Sequence, residues 1–123
     1  MLEGDITNET EKAFSDLAEA TNDKPWVVLS SGMDKDSFYK CLELAYLNGA
    51  SGYLAGRTIW LDAFKNYPNI EKVEEGLKNA SVSYVKKLNE LTARTAQSLD
   101  TFFNNGFKID NPEKFTKDFG GFE

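Results

Sequence analysis

Residues 25–32, Pro-Trp-Val-Val-Leu-Ser-Ser-Gly, and residues 52–57, Gly-Tyr-Leu-Ala-Gly-Arg, decide the fold of this chain. Trp26–Leu29 is an apolar run without alternation, which is typical of a strand buried on both faces in a parallel sheet. Gly52–Ala55 is a second short apolar run, and a helical pattern separates the two. A strand–helix–strand order of this length predicts a βαβ unit with parallel strands.

Helical patterns surround the two strands. Asp34 is a good N-cap for the intervening helix, which carries an apolar stripe and closes at Asn48-Gly49. Apolar residues at helical spacing also predict a helix before the first strand, a short one after the second, and a long pattern that is one helix or two. The predicted helices are 8–21, 34–48, 58–64 and 70–103.

Two short strands make a poor sheet on their own, and both are predicted to need neighbours on either side. We therefore expect either self-association into a homo-oligomer or completion by another polypeptide. Residues 104–123 contain Gly106, Pro112, Gly120 and Gly121, and we interpret them as a loosely attached tail.

Composition excludes several classes of function. Fourteen Lys and Arg stand against twenty Asp and Glu, a formal charge of −6 that disfavours nucleic acid and anionic membranes as partners. The chain has no histidine and a single cysteine, which excludes histidine-based triads, histidine metal sites and an internal disulfide. With no apolar run long enough to cross a bilayer and an acidic N-terminus, the expected location is cytoplasmic.

The two strand ends are the candidate binding site. Ser30-Ser31-Gly32 follows the first strand and Gly56-Arg57 follows the second, each with accessible backbone N–H groups beside a helix N-terminus. This combination favours an anion, and Arg57 can add a charged and bidentate contact. The alternative for each motif alone is a tight turn with a surface arginine, but their placement at adjacent strand ends favours a phosphate.

Other polar or reactive residues are assigned structural roles. Cys41 lies on the apolar stripe of its helix, so a buried and inert thiol is expected. No lysine lies inside either strand, and a Schiff-base lysine needs a desolvated position. We therefore predict no catalytic residue, no metal and no cofactor.

The two strand-end motifs, with the sequence Asn48-Gly-Ala-Ser-Gly-Tyr-Leu-Ala-Gly-Arg-Thr-Ile-Trp60 around the second, resemble the C-terminal part of a class I aldolase family. This is the tagatose-bisphosphate aldolase group, which includes the sulfofructosephosphate aldolases. A weaker resemblance extends to Tyr84–Leu91, which is similar to the family's final helix. It covers roughly residues 8–103, and only the paired strand-end motifs are specific.

The resemblance implies the C-terminal portion of a (β/α)8 TIM barrel. Trp26–Leu29 would be strand seven and Gly52–Ala55 strand eight, followed by a helical C-terminus. The family cleaves a ketose bisphosphate or sulfofructose phosphate through a lysine Schiff base, giving dihydroxyacetone phosphate and an aldehyde. By the resemblance, Ser30, Ser31, Gly32, Gly56 and Arg57 would hold the phosphate of that product.

The family's Schiff-base lysine ends the sixth strand, upstream of anything present here. We therefore expect residues 1–103 to be a partial barrel domain, inactive alone as a lyase, and residues 104–123 to be a tail without a counterpart. Two alternatives stay open: a non-catalytic module that binds or senses phosphosugars, and a structural fragment that self-associates through its strand edges.

Overall fold

The computed structural model describes residues 8–103, 105 and 106, which form a mixed α/β arrangement of mostly helices. The helices and strands follow the predicted order along the chain. A π-helical turn, Leu77–Ser81, joins the fourth and fifth helices, and a short 3-10 turn follows at Leu99–Thr101. The elements are α1 (Asn8–Thr21), β1 (Val27–Leu29), α2 (Lys35–Leu47), β2 (Gly52–Leu54), α3 (Arg57–Phe64), α4 (Ile70–Gly76) and α5 (Val82–Thr95).

The two strands form a parallel sheet, as predicted. Val27 pairs with Gly52, Val28 with Tyr53 and Leu29 with Leu54. Backbone hydrogen bonds extend the ladder at both ends: the Ser51 N–H donates to the Trp26 carbonyl at 2.8 Å, and the Ser30 N–H donates to the Leu54 carbonyl at 3.0 Å. The carboxyl ends of both strands therefore meet at one edge of the sheet, which is where the candidate site lies.

The core lies on one face of the sheet, between it and helices α2 and α5. The predicted stripe of α2 is confirmed, because Phe38, Leu42 and Ala45 are completely buried. Leu88 of α5 and Val28 of β1 belong to the same cluster. Burying a side chain of this size contributes about 1.5–3 kcal/mol to folding, so this cluster holds the helices against the strands.

The other face of the sheet corrects the prediction that both strands are buried on both faces. Val27, Leu29 and Leu54 are 48%, 61% and 58% exposed. They share one face because side chains alternate along a strand and the strands are in register. In the described part of the chain no element covers these three residues, which we call the open face. The unbroken apolar sequence allows burial on both sides, but all the helices that pack on the sheet lie on one side.

The ends of the elements also differ from the sequence-based bounds. Trp26 and Ala55 fall just outside the strands; Trp26 instead stacks on Phe14 of α1 with ring centroids 6.0 Å apart. The long helical pattern stops at Thr95 rather than at Phe103. The reason is a long-range contact: the Gln97 N–H donates to the Ala50 carbonyl at 3.1 Å, which ties the chain to the segment before β2.

The π-helical turn and the end of α4 pack closely against α3. Ser81 Oγ donates a hydrogen bond to the Ile59 carbonyl at 2.8 Å. A Cβ placed on Gly76 would lie 2.9 Å from the Ala63 Cβ, so glycine is what allows α4 and α3 to approach this closely.

Within residues 8–103, 105 and 106, no helix is long and apolar enough to cross a membrane.

Candidate functional site

The loop after β1 is a tight turn over Ser30–Met33. The Met33 N–H donates to the Ser30 carbonyl at 2.9 Å, and both central residues have positive φ, 50° at Ser31 and 77° at Gly32. Such a turn favours glycine because a Cβ is strained in the left-handed region. Ser30 is buried and fixes the turn, whereas Ser31 and Gly32 are exposed at the sheet edge.

The loop after β2 is joined to this turn by Thr58. Gly56 leads directly into α3, and the buried Thr58 Oγ1 donates to the Met33 carbonyl at 2.7 Å. The two sequence motifs, Ser30–Gly32 and Gly56-Arg57, therefore lie side by side at the carboxyl ends of the paired strands. Their predicted proximity is what the structure shows.

Arg57 lies across Gly32. A Cβ added to Gly32 would be 3.2 Å from the Arg57 Cζ and 3.3 Å from its Nη2, so the guanidinium packs directly on the glycine backbone. Among the residues that the structure describes, no carboxylate lies within ion-pair distance of this guanidinium. Arg57 is thus a positioned positive charge that is available for a charged hydrogen bond to an anion.

The two helix N-termini beside the site are not equivalent. Asp34 Oδ1 accepts from the Asp36 N–H at 3.1 Å and from the Ser37 N–H at 2.9 Å. The start of α2 therefore already holds a carboxylate. Gly56 gives α3 no side-chain cap, so the first N–H groups of that helix remain available to a ligand.

A cavity of about 310 Å³ lies between the N-terminal ends of α2 and α3. Arg57 shares this cavity with other cations, because Lys35 and Lys65 line the same space. Both lysines pair with Asp62, at 3.5 Å and 2.7 Å. The hydrogen bond from Lys65, with the charges of both lysines, holds the pKa of Asp62 below its usual range. The single charge of Asp62 offsets part of the charge of the two lysines, and Asp34 and Asp36 bring two more carboxylates to the same cavity. Among the described residues, Arg57 differs from the lysines in that it has no ion pair.

Lys35 was missed because its role depends on tertiary packing. It is the first residue of α2, its side chain is only 25% exposed, and its Nζ lies 5.6 Å from the centroid of the Tyr84 ring. The feature of the sequence that could have identified Lys35 is its position directly after the predicted N-cap Asp34, close to the end of a strand.

Cys41 is buried as predicted, and burial raises the pKa of its thiol. In the described part of the chain, no group of three acidic, cysteine or histidine side chains could hold a metal ion.

Replacing Gly32 with alanine should disturb the fold and the site together. The left-handed backbone costs an L residue about 1–2 kcal/mol, and the new methyl group must push the Arg57 guanidinium aside. We expect a lower melting temperature and weaker phosphate binding. Gly106→Ala is the matched control, because Gly106 has a φ of 72° with open space around it. Equal phosphate affinity in both variants would show that the Gly32–Arg57 contact has no role in binding.

The charge of Asp34 should make stability depend on pH on the acid side. Hydrogen bonds from the Ser37 hydroxyl and backbone N–H lower the pKa of Asp34 in the folded protein. A lowered pKa contributes stability above the unfolded value, about 3.9, that is lost as pH falls through the folded value. Asp34→Asn keeps a capping oxygen but no charge. Thermal melts should show the parent more stable than the variant at neutral pH, with the difference vanishing in acid; a difference that stays constant with pH would refute the charge effect.

Comparison with known proteins gives a distant relationship. No family model matches the chain. The curated protein tagatose 1,6-diphosphate aldolase 2 of Streptococcus mutans is 28% identical over 100 residues, an alignment that covers 76% of this chain. The similarity is to an aldolase. This chain spans about 30% of the length of that relative.

Proposed function

We propose that this chain is a phosphate-binding segment of a Schiff-base aldolase, which holds the phosphate of dihydroxyacetone phosphate at the two strand ends. The observation that carries the proposal is the Arg57 guanidinium, which lies on Gly32 without a carboxylate partner in the described structure. A fixed cation beside an uncapped helix N-terminus and a turn of exposed backbone suits a phosphate dianion.

Each residue of the site has a distinct part in this proposal. Arg57 supplies the charge and a two-pronged hydrogen bond, and the start of α3 after Gly56 supplies backbone N–H groups. The exposed Ser31 and Gly32 line the other side of the phosphate. Ser30, being buried, positions the turn rather than contacting ligand.

The larger fold that this function needs is a (β/α)8 barrel, with β1 and β2 as its last two strands. The open face of Val27, Leu29 and Leu54 supports this proposal, because the interior of such a barrel is filled with branched apolar side chains. Helices α2 and α5 pack on the opposite face, as the outer layer of a barrel does. The aldolase similarity points in the same direction.

The catalytic lysine would come from a complementing chain or from barrel strands outside this sequence. Neither β1 nor β2 contains a lysine. The chain would then contribute substrate binding but not the nucleophile. Treatment with dihydroxyacetone phosphate and borohydride should therefore leave the mass of this chain unchanged, and a trapped adduct on any of its lysines would overturn that assignment.

A non-catalytic module that binds phosphosugars is the second candidate. It is favoured by the same site, since every group that would hold the phosphate belongs to this chain. The two candidates differ in whether added barrel strands produce aldol cleavage, and they share the anion site.

Calorimetric titration tests the shared claim. We expect saturable binding of dihydroxyacetone phosphate and of glycerol 3-phosphate, and no binding of dihydroxyacetone at the same concentrations. Binding should weaken as salt rises, because the contacts are charged and partly exposed. Equal binding of the phosphorylated and unphosphorylated compounds would contradict the proposal.

A further inference from the structure

Trp60 carries a hydrogen-bond donor beside the start of α3. A Cβ built on Gly56, the residue that leads into this helix, would lie 3.6 Å from the Trp60 Nε1. The indole nitrogen can donate a hydrogen bond but not accept one. Within the described residues no group accepts from it, and the side chain is 38% exposed. The indole N–H is therefore open to a ligand at this end of α3.

The position of the indole is set by the helix and by a neighbouring ring. Side chains on a helix point back toward its N-terminus, which places the Trp60 ring over the turn that begins at Gly56. Phe64, one turn later, packs edge-on against this ring with centroids 5.4 Å apart and planes at 75°. The donor is therefore positioned by packing within α3, which lowers the cost of ordering it when a ligand binds.

The indole and the Arg57 backbone amide can reach the same phosphate. Three bonds of about 1.5, 1.5 and 1.3 Å join a Gly56 Cβ to the Arg57 nitrogen, so this nitrogen is at most about 8 Å from the Trp60 Nε1. Two N–H groups that each bond at about 2.9 Å to different oxygens of one phosphate can be about 8 Å apart. Arg57 and Trp60 are also three residues apart on α3, which makes their side chains neighbours on its surface.

We propose that Trp60 is a further binding residue of the phosphate site, with its Nε1–H donating to a phosphate oxygen. The inference rests on the proposed function and adds to it a donor that lies outside both strand-end motifs. Arg57 supplies charge, whereas Trp60 supplies a neutral and directional bond whose donor does not titrate. The ligand phosphate would then lie over the first turn of α3, within reach of both side chains.

NMR of the two indole N–H groups tests this contact in the unmodified chain. The only other tryptophan is Trp26, which stacks on Phe14 and whose carbonyl accepts from Ser51 at the opposite end of the strands. Adding dihydroxyacetone phosphate should shift the Trp60 indole signal with the same affinity as the Arg57 amide. The Trp26 signal should stay in place, and dihydroxyacetone should move neither.

A matched pair of variants measures the bond. Trp60→Phe and Trp26→Phe each remove one indole N–H and keep an aromatic ring, and they also assign the two indole signals. A hydrogen bond to a charged group contributes enough for Trp60→Phe to weaken dihydroxyacetone phosphate binding about tenfold. Trp26→Phe should bind as the parent does. Circular dichroism of both variants, matched to the parent, shows that the comparison concerns the folded protein.

The outcomes separate this inference from the proposed function. If the Gly32 and Arg57 amides shift while the Trp60 indole does not, Trp60 lies outside a phosphate site that otherwise stands. If none of these signals moves, the proposed function fails and this inference fails with it. An unchanged affinity in folded Trp60→Phe would overturn the hydrogen bond even where the indole signal shifts.

Discussion

Arg57→Ala should weaken the binding of dihydroxyacetone phosphate by roughly ten- to a hundredfold. A charged hydrogen-bond partner contributes about 1.5–3 kcal/mol, and each 1.4 kcal/mol is a factor of about ten in affinity. Because no carboxylate in the described structure shares this guanidinium, its full charge is available to the phosphate. The fold should stay intact, since Arg57 is exposed at the start of α3.

Two control variants separate a specific contact from general loss of charge. Lys65→Ala removes one positive charge from the same cavity, but that lysine is paired with Asp62 at 2.7 Å, so a much smaller effect is expected. Arg57→Lys keeps the charge but not the two-pronged geometry, and its affinity should lie between those of the parent and of Arg57→Ala. Titration of the four proteins at one salt concentration gives the comparison. Equal affinity in parent and Arg57→Ala would remove Arg57 from the site.

Phe38→Ala should be the most destabilising single change among those considered. Phe38 is completely buried at the centre of the core, where its ring meets the edge of Tyr53 with centroids 6.1 Å apart. Truncating a buried phenylalanine costs about 3–5 kcal/mol, which is a large part of the stability of a domain this size. The melting temperature should fall by roughly 10–20 °C.

Phe64→Ala is the matched control for this effect. Phe64 also packs against an aromatic ring, Trp60, with centroids 5.4 Å apart, but it is 47% exposed. Its removal should cost about 1 kcal/mol, mostly from the ring pair. Thermal melts of both variants would contradict the assignment of the core if the two losses were similar.

Local signals in the sequence were sufficient to predict the βαβ unit. The Asp34 side chain accepts hydrogen bonds from the N–H groups of Asp36 and Ser37 in the first turn of α2, and Gly49, with a φ of 88°, follows that helix. The bounds of α2 were therefore predictable from capping alone. The parallel pairing followed from the length of the connection. The meeting of Gly32 and Arg57 then follows, because parallel strands end at one edge.

What the sequence could not supply depends on contacts between distant residues. The end of α5 is set by the bond from Gln97 to Ala50, and no local breaker marks it. An apolar run also does not reveal which of its faces lacks a partner, so the exposure of Leu29 was not predictable. Likewise, Lys35 reaches Asp62 only because α2 and α3 pack side by side, whereas Lys65 and Asp62 are three residues apart in the sequence and pair locally.

The most direct test of the phosphate site is a residue-by-residue titration followed by NMR of backbone amides. Adding dihydroxyacetone phosphate should shift the amides of Ser31, Gly32, Arg57 and Thr58 in a saturable manner with one common affinity. Dihydroxyacetone without the phosphate should leave them in place. Shifts that spread over other surfaces, or an unchanged Gly32–Arg57 region at saturating ligand, would contradict the assignment of the two strand ends as a phosphate-binding site.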